Sequence, residues 1–142
     1  MTEPSIELLD SDDLDALERV ADGLFDNPIR ASLAAEFLAD PRHHLAVAVR
    51  DGAVVGFASA VHYVHPDKPP ELWINEIAVA PSNRNRGIGK ELMRVLFRLA
   101  ENLGCTQAWV LAEPGNLGAR QFYRALGGSE APAVMYSFDT SA

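Results

Sequence analysis

The 142-residue chain carries twelve basic against twenty acidic residues, a formal charge of −8, and this balance argues against nucleic acid, whose phosphates require a basic face. Its 48% hydrophobic and 23% charged residues describe one ordinary globular domain, 1–142, too short for two. No apolar run approaches the roughly 20 residues of a membrane span. The acidic start Met1-Thr2-Glu3-Pro4 is no signal peptide and Cys105 stands alone, so a cytoplasmic protein without disulfides is expected.

In chain order, Ile6-Glu7-Leu8-Leu9 alternates as a first strand. Ser11, Asp12 and Asp13 supply a cap and an acidic first turn for a helix whose buried face is Leu14, Leu17, Val20, Ala21 and Leu24. Asn27-Pro28 reads as a second helix start, continued by Leu33, Ala34, Phe37 and Leu38 and stopped by Asp40-Pro41. Two apolar runs, 45–50 and 53–61, flank Asp51-Gly52 and predict a hairpin. Residues 65–70 form a loop, because their prolines cannot sit inside a strand. The run 72–79 is apolar on both faces and therefore a central strand, interrupted only by Asn75 and Glu76.

Pro81-Ser82-Asn83-Arg84-Asn85-Arg86-Gly87-Ile88-Gly89-Lys90 then joins that strand to a helix with Leu92, Leu96, Leu99 and Leu103 on one face. A helix start leaves backbone N–H groups without intrahelical partners and its dipole favours negative charge, so the turn is an anion cradle for a diphosphate. Gly87 and Gly89 keep Cβ atoms clear, while Arg84, Arg86 and Lys90 add positive charge to an acidic chain. Glu91 stands where a Walker loop needs a hydroxyl, and Leu92 where a dinucleotide fingerprint needs a third glycine. Taken alone, the pattern is also that of an ordinary glycine-containing turn between strand and helix.

Downstream, 109–112 reads as a buried strand, and Asn116-x-x-Ala119-x-x-Phe122-Tyr123-x-x-Leu126-Gly127 as a capped helix ended by glycine. A short strand at 129–131 and a last one at 134–138 complete the set, with 140–142 expected to fray. Arg84-x-x-Gly87-x-Gly89, followed at this distance by the Asn116 to Leu126 pattern, resembles the two signature motifs of the GNAT superfamily of N-acetyltransferases, and matches run from about 45 to 126. The resemblance implies a mixed α/β (α+β) fold: a single twisted mixed sheet with splayed central strands, flanked by helices, the pantetheine arm of acetyl-CoA lying in the splay. It also implies acetyl-CoA as cosubstrate, held by Ile77, Ala78, Val79, Arg84, Asn85, Arg86, Gly87, Ile88, Gly89, Lys90 and Asn116. For Asn116, simple N-capping is the competing role.

Acetylating an amine poses two proton problems. A lysine-like amine has a pKa of about 10.4, so a base must remove a proton near neutral pH. Glu76, inside an apolar strand just before the cradle, is the candidate base or ammonium binder, its carboxyl expected to be raised by partial desolvation. The leaving thiolate benefits from a proton, and Tyr123, a phenol, is the candidate acid. Cys105 reads as an apolar filler, which leaves no thiol nucleophile and favours direct attack in a ternary complex over ping-pong transfer. His43, His44, His62 and His65 lack metal-ligand spacing, Phe122 reads as core, and Trp73 and Trp109 are most simply core as well.

Within the superfamily, 71–126 is most similar to the small aminoglycoside N-acetyltransferases, which implies a small polycationic amine acceptor held by Glu76 and Glu113. Gly128 departs from that pattern, standing where the superfamily carries a large apolar residue, and 25–44 gives no distinctive match. Other amines (polyamines, amino acids, peptide N-termini), a non-catalytic acyl-CoA sensor, and a homodimer stay open.

Overall fold

A computed structural model of the protein describes residues 3–141, so the readings of Met1, Thr2 and Ala142 lie outside it. The chain forms two compact units, Met1–Leu111 and Ala112–Ala142.

The first unit is a five-stranded sheet in chain order: β1 (Ser5–Leu9), β2 (His43–Arg50), β3 (Ala53–Tyr63), β4 (Glu71–Val79) and β5 (Gln107–Val110). Neighbours are antiparallel from β1 to β4, and β5 runs parallel to β4, because its connection is the helix α2 (Ile88–Asn102). The sheet is mixed and β4 is central, as its apolar faces required. The β2–β3 turn places Asp51 (φ 52°) and Gly52 (φ 78°) in left-handed conformation, the demand of a two-residue hairpin turn.

On one face, Leu9, Leu17, Leu24, Leu38, Leu45, Val47, Val54 and Phe57 make a buried cluster under the first 3₁₀ helix (Ser11–Glu18) and α1 (Ala31–Ala39). Ile88, Leu92, Met93, Leu96 and Ala100 of α2 are buried against the sheet as well. A Cβ on Gly56 of β3 would stand 3.2 Å from Ile88 Cγ2 and 3.5 Å from Leu92 Cδ1, so this glycine sets how closely α2 approaches. Behind α2, Gly104 (φ 78°) closes a Schellman cap in which the Cys105 N–H donates to Ala100 O at 2.9 Å.

The sequence reading needs correction at both ends of the chain. The expected first helix stops at Glu18, since Val20 bridges Val54, and Val54 N–H donates to Arg19 O and Ala21 N–H to Val54 O, each at 2.9 Å. These sheet-like bonds hold 19–21 extended, and Leu17 and Leu24 reach the core regardless. The helix expected from Pro28 starts only at Ala31, after Arg30.

The second unit holds α3 (Leu117–Ala125) and an irregular remainder. Asn116 Oδ1 accepts from Ala119 N–H at 3.1 Å and starts the helix. Glu130 accepts from Arg120 at 2.8 and 3.1 Å and from Arg124 at 2.8 Å, tying the following segment back to α3. Neither the strand at 129–131 nor the one at 134–138 is formed; the apolar side chains of the latter are exposed.

Candidate active site

A bulge in the β3–β4 ladder organises the candidate residues of the first unit. Val61 pairs with Trp73 and Ala60 with Ile74, but Ser59 pairs with Glu76, so β4 carries one residue more than β3 at this point. Three residues apart in a regular strand, Trp73 and Glu76 would point to opposite faces; the extra residue returns both to the face of Val61, Ser59 and Phe57. Asn75 and Glu76 are exposed there, which corrects the expectation that Glu76 is desolvated. The bulge and the end of β5 are the reasons: β5 pairs with β4 only as far as Ile74–Val110, leaving 75–79 without a partner on that side.

Past Val79, the chain turns through a 3₁₀ helix (Pro81–Asn83) into the cradle. Asn85 (φ 62°) and Gly87 (φ 79°) are both left-handed, and no atom lies within 4 Å of where a Gly87 Cβ would stand. Glu91 N–H donates to Gly87 O at 3.1 Å and closes the first turn of α2, so the amides of Ile88, Gly89 and Lys90 precede any intrahelical acceptor. A polyanion fits this end of the helix without competing for those bonds. Arg84 is partly committed, because its Nε donates to Val79 O at 2.9 Å and pins the loop to the end of β4. Beneath it, the buried Asn83 accepts from Arg50 Nη1 at 2.7 Å.

On the face of Glu76, Phe25 stacks on Phe57 with ring centroids 3.9 Å apart. Phe25 also lines a cleft of about 670 Å³ whose wall includes Glu18, Asp22 and Asp26 beside Leu14, Leu17 and Ile29. Trp73 and Trp109, opposite one another in register, are half-buried and stacked at 5.2 Å, with Tyr63 continuing the row at 6.1 Å from Trp73. They form a partly exposed ladder rather than core, since β5 is the sheet's edge.

The second unit carries Glu113, Asn116 and Tyr123. Tyr123 is half-buried, and burial pushes its phenol above the ordinary range, so it carries its proton at neutral pH. Its ring meets Phe122 edge-on at 5.4 Å, and Phe122, expected as core, is likewise half-buried. Gly127 (φ 94°) and Gly128 end the helix, with Gly128 N–H donating to Tyr123 O at 3.0 Å. A Cβ on Gly128 would stand 2.9 Å from that carbonyl oxygen, which explains why no larger residue occupies the position.

Residues 8–127 match the acetyltransferase (GNAT) family, a span that covers most of the first unit and ends within the second. The chain belongs to this family. Relatives of this acetyltransferase include the aminoglycoside N(6')-acetyltransferase type 1 of Salmonella typhimurium, 34% identical over 66% of this chain and 68% of the relative. The streptothricin acetyltransferase of Streptomyces lavendulae is 35% identical over 63% of this chain and 45% of its own. Among solved structures, aminoglycoside N-acetyltransferase AAC(6')-Iy in complex with a CoA-S-monomethyl-acetylneamine bisubstrate analogue matches with a TM-score of 0.81 at 25% identity, over 97% of this chain and 99% of that one. An aminoglycoside acetyltransferase from an uncultured soil metagenomic sample, in complex with sisomicin, shares the fold with a TM-score of 0.86 at 20% identity, over 97% of each chain.

Other groups in the GNAT chain have local partners. His44 Nε2 and His62 Nδ1 share a hydrogen bond of 2.8 Å, and burial, with His62 next, holds His44 down at about 4. His65 lies 3.0 Å from Glu71. Among the described residues, no three His, Cys, Asp or Glu side chains converge as metal ligands would. Burial and the nearby Glu71 push the Cys105 thiol up, away from nucleophilic thiolate character. Two elements are not marked by any local sequence pattern, the Arg50–Asn83 bond and the acidic cleft. Glu18, Asp22 and Asp26 were visible as an acid-rich stretch, yet nothing local marked them as the wall of one cleft.

Proposed function

We propose that this acetyltransferase moves the acetyl group of acetyl-CoA to a primary amine of a small polycationic acceptor of the aminoglycoside kind, by direct attack with both substrates bound. The observation that carries the reading is the end of β4–β5 pairing at Ile74–Val110, which leaves 75–79, with Glu76, unpaired by β5 just before the amides at the start of α2. In this reading the diphosphate rests on the amides of Ile88, Gly89 and Lys90, with Arg84, Asn85 and Arg86 forming the loop around it. The backbone N–H groups of Ile77, Ala78 and Val79 polarise the thioester carbonyl, and the Asn116 side chain bonds the pantetheine amide. Thioester chemistry comes with the cosubstrate: an acetyl carbon open to attack and a thiolate leaving group.

The chain's part is to manage protons and charge. Glu76 takes a proton from the acceptor ammonium so that the nitrogen lone pair attacks, and Tyr123 donates its phenolic proton to the departing sulfur. Direct transfer needs no protein nucleophile, in keeping with the raised Cys105 thiol. Support for a polycationic acceptor comes from the named relatives and from the cleft, whose volume suits a small molecule and whose Glu18, Asp22 and Asp26 suit several ammonium groups. Glu113 is a further ammonium partner in this proposal, residues 1–142 act as one catalytic domain, and the cytoplasm is its place of work.

The test is release of CoA thiol from acetyl-CoA with aminoglycosides, polyamines, amino acids and peptides as acceptors. Turnover is expected to be highest with aminoglycosides. Preference for peptide or amino-acid amines would overturn the acceptor class, and tight acetyl-CoA binding without turnover on any amine would favour a sensor.

A further inference from the structure

Within 53–61 every residue but Ser59 is apolar, and within 72–79 every residue but Asn75 and Glu76. The register brings these exceptions together, because Ser59 pairs with Glu76 at the bulge whose extra residue is Asn75. Side chains directly opposite one another share a face, with Cβ atoms about 5 Å apart. On its other side Ser59 pairs with Leu45, and Phe57 precedes it on the same face; both are buried. Ser59 itself keeps 9% exposure, and its hydroxyl has no hydrogen-bond partner among the described residues. A hydroxyl held among apolar side chains without a bond weakens a fold, so packing does not account for a serine here.

We propose that Ser59 is a second holder of the acceptor's ammonium group, its Oγ accepting one N–H while the Glu76 carboxylate opposite takes another. The inference rests on Glu76 being the base of the reaction proposed above. An alkylammonium has three N–H donors and no acceptor, and a hydroxyl oxygen and a carboxylate on facing strands both accept, so one nitrogen bridges them. In the reaction Glu76 receives a proton from that nitrogen, the lone pair left behind forms the bond to the acetyl carbon, and the C–S bond breaks with its electron pair leaving on the thiolate. Ser59 makes and breaks no covalent bond. Its contact stops the nitrogen from turning about its own C–N bond, which sets the direction of the lone pair. The bulge is what builds the pair, since a ladder continued without it from Ala60–Ile74 would set Asn75 opposite Ser59 instead. The same face runs through Phe57 to Phe25, which is stacked on it and lines the acidic cleft, so the rest of a polycationic acceptor has a place beside the held nitrogen.

Ser59→Ala tests the proposal in the full chain, with acetyl-CoA and sisomicin as substrates and Glu76→Gln as the reference variant. Stability in denaturant is expected to equal or exceed wild type and acetyl-CoA affinity to hold, while kcat/KM for sisomicin falls roughly 10-fold to 100-fold, as for one lost hydrogen bond to a charged group. Ser59→Cys keeps the size with a weak acceptor, guards against misfolding of the first variant, and is expected to lose as much. Because both side chains act on one nitrogen, Ser59→Ala combined with Glu76→Gln is expected to lose less than the product of the two single losses. Wild-type kcat/KM in both Ser59 variants beside an impaired Glu76→Gln would overturn the inference and leave Glu76 as the base. Losses that multiply in full in the double variant, or a Ser59→Ala protein that loses stability and keeps its kcat/KM, would overturn it as well. A wild-type rate in Glu76→Gln, or a wild-type protein inert toward sisomicin and other aminoglycosides, would remove the reading beneath it.

Discussion

Arg50, at the end of β2, donates through Nη1 to Oδ1 of Asn83 at 2.7 Å, and both residues are buried. The bond joins the sheet to the turn that carries the cradle, thirty-three residues further along the chain. Asn83 also receives the guanidinium while its own N–H donates to Ala80 O at 2.8 Å, so the turn is fixed by backbone and side chain together.

Asn83→Ala is expected to lower stability by about 1.5–3 kcal/mol, the range for a hydrogen bond to a charged group. It is also expected to weaken acetyl-CoA binding, because the amides of Ile88 to Lys90 are positioned by this turn. Denaturant unfolding and calorimetric titration on the folded variant measure the two effects. Stability lost with unchanged affinity would show that the bond serves the fold alone.

Gly89→Val is expected to weaken acetyl-CoA binding by roughly tenfold, the loss of about one charge-assisted bond, by placing a branched side chain in the first turn of α2. The companion change Gly87→Ala forces a Cβ into φ 79° and is expected to cost roughly 1 kcal/mol in stability. Unaltered affinity in a folded Gly89→Val protein would remove the cradle from the cofactor site.

Glu76→Gln keeps the shape and loses the charge and basicity. The expected result is a fall in turnover of roughly 10² to 10⁴ near neutral pH, partly restored in alkaline buffer where the acceptor loses its proton unaided. CoA affinity should hold. A pH–rate profile parallel to wild type with full turnover would send the search for the base elsewhere.

Tyr123→Phe is expected to lower kcat by roughly 10² to 10⁴ with little change in cofactor affinity. A leaving group of lower pKa should recover part of the loss. Should turnover stay within a few-fold of wild type, water or another group protonates the sulfur.

The His44–His62 pair predicts a stability profile. An unfolded histidine titrates near 6.5, and folded His44 is held down at about 4, chiefly by burial. Between those values the unfolded chain binds a proton that the folded chain refuses, so stability falls as pH drops through the window and is complete above it. Thermal unfolding is expected to show a steeper acid loss for wild type than for His44→Gln; parallel curves would mean that the imidazole is protonated in the folded state.

Much of this protein is local and was therefore readable. Asp51-Gly52 demanded a hairpin turn and Asn116 offered a cap, and each is where its own backbone chemistry placed it. Glu76 and the cradle also fall on the strand and turn expected of them, a few residues apart. Tertiary structure decided the rest, because it depends on partners distant in the chain. The bulge that turns Glu76 onto the face of Trp73 is a register between strands, invisible in either strand alone. The exposure of Asn75 and Glu76 follows from where β5 stops, and the end of the first helix from the pull of Val54 on 19–21. The run 134–138 has the alternation of a strand, but alternation specifies only a face to bury, and hydrogen bonds to a neighbouring edge are what make a strand.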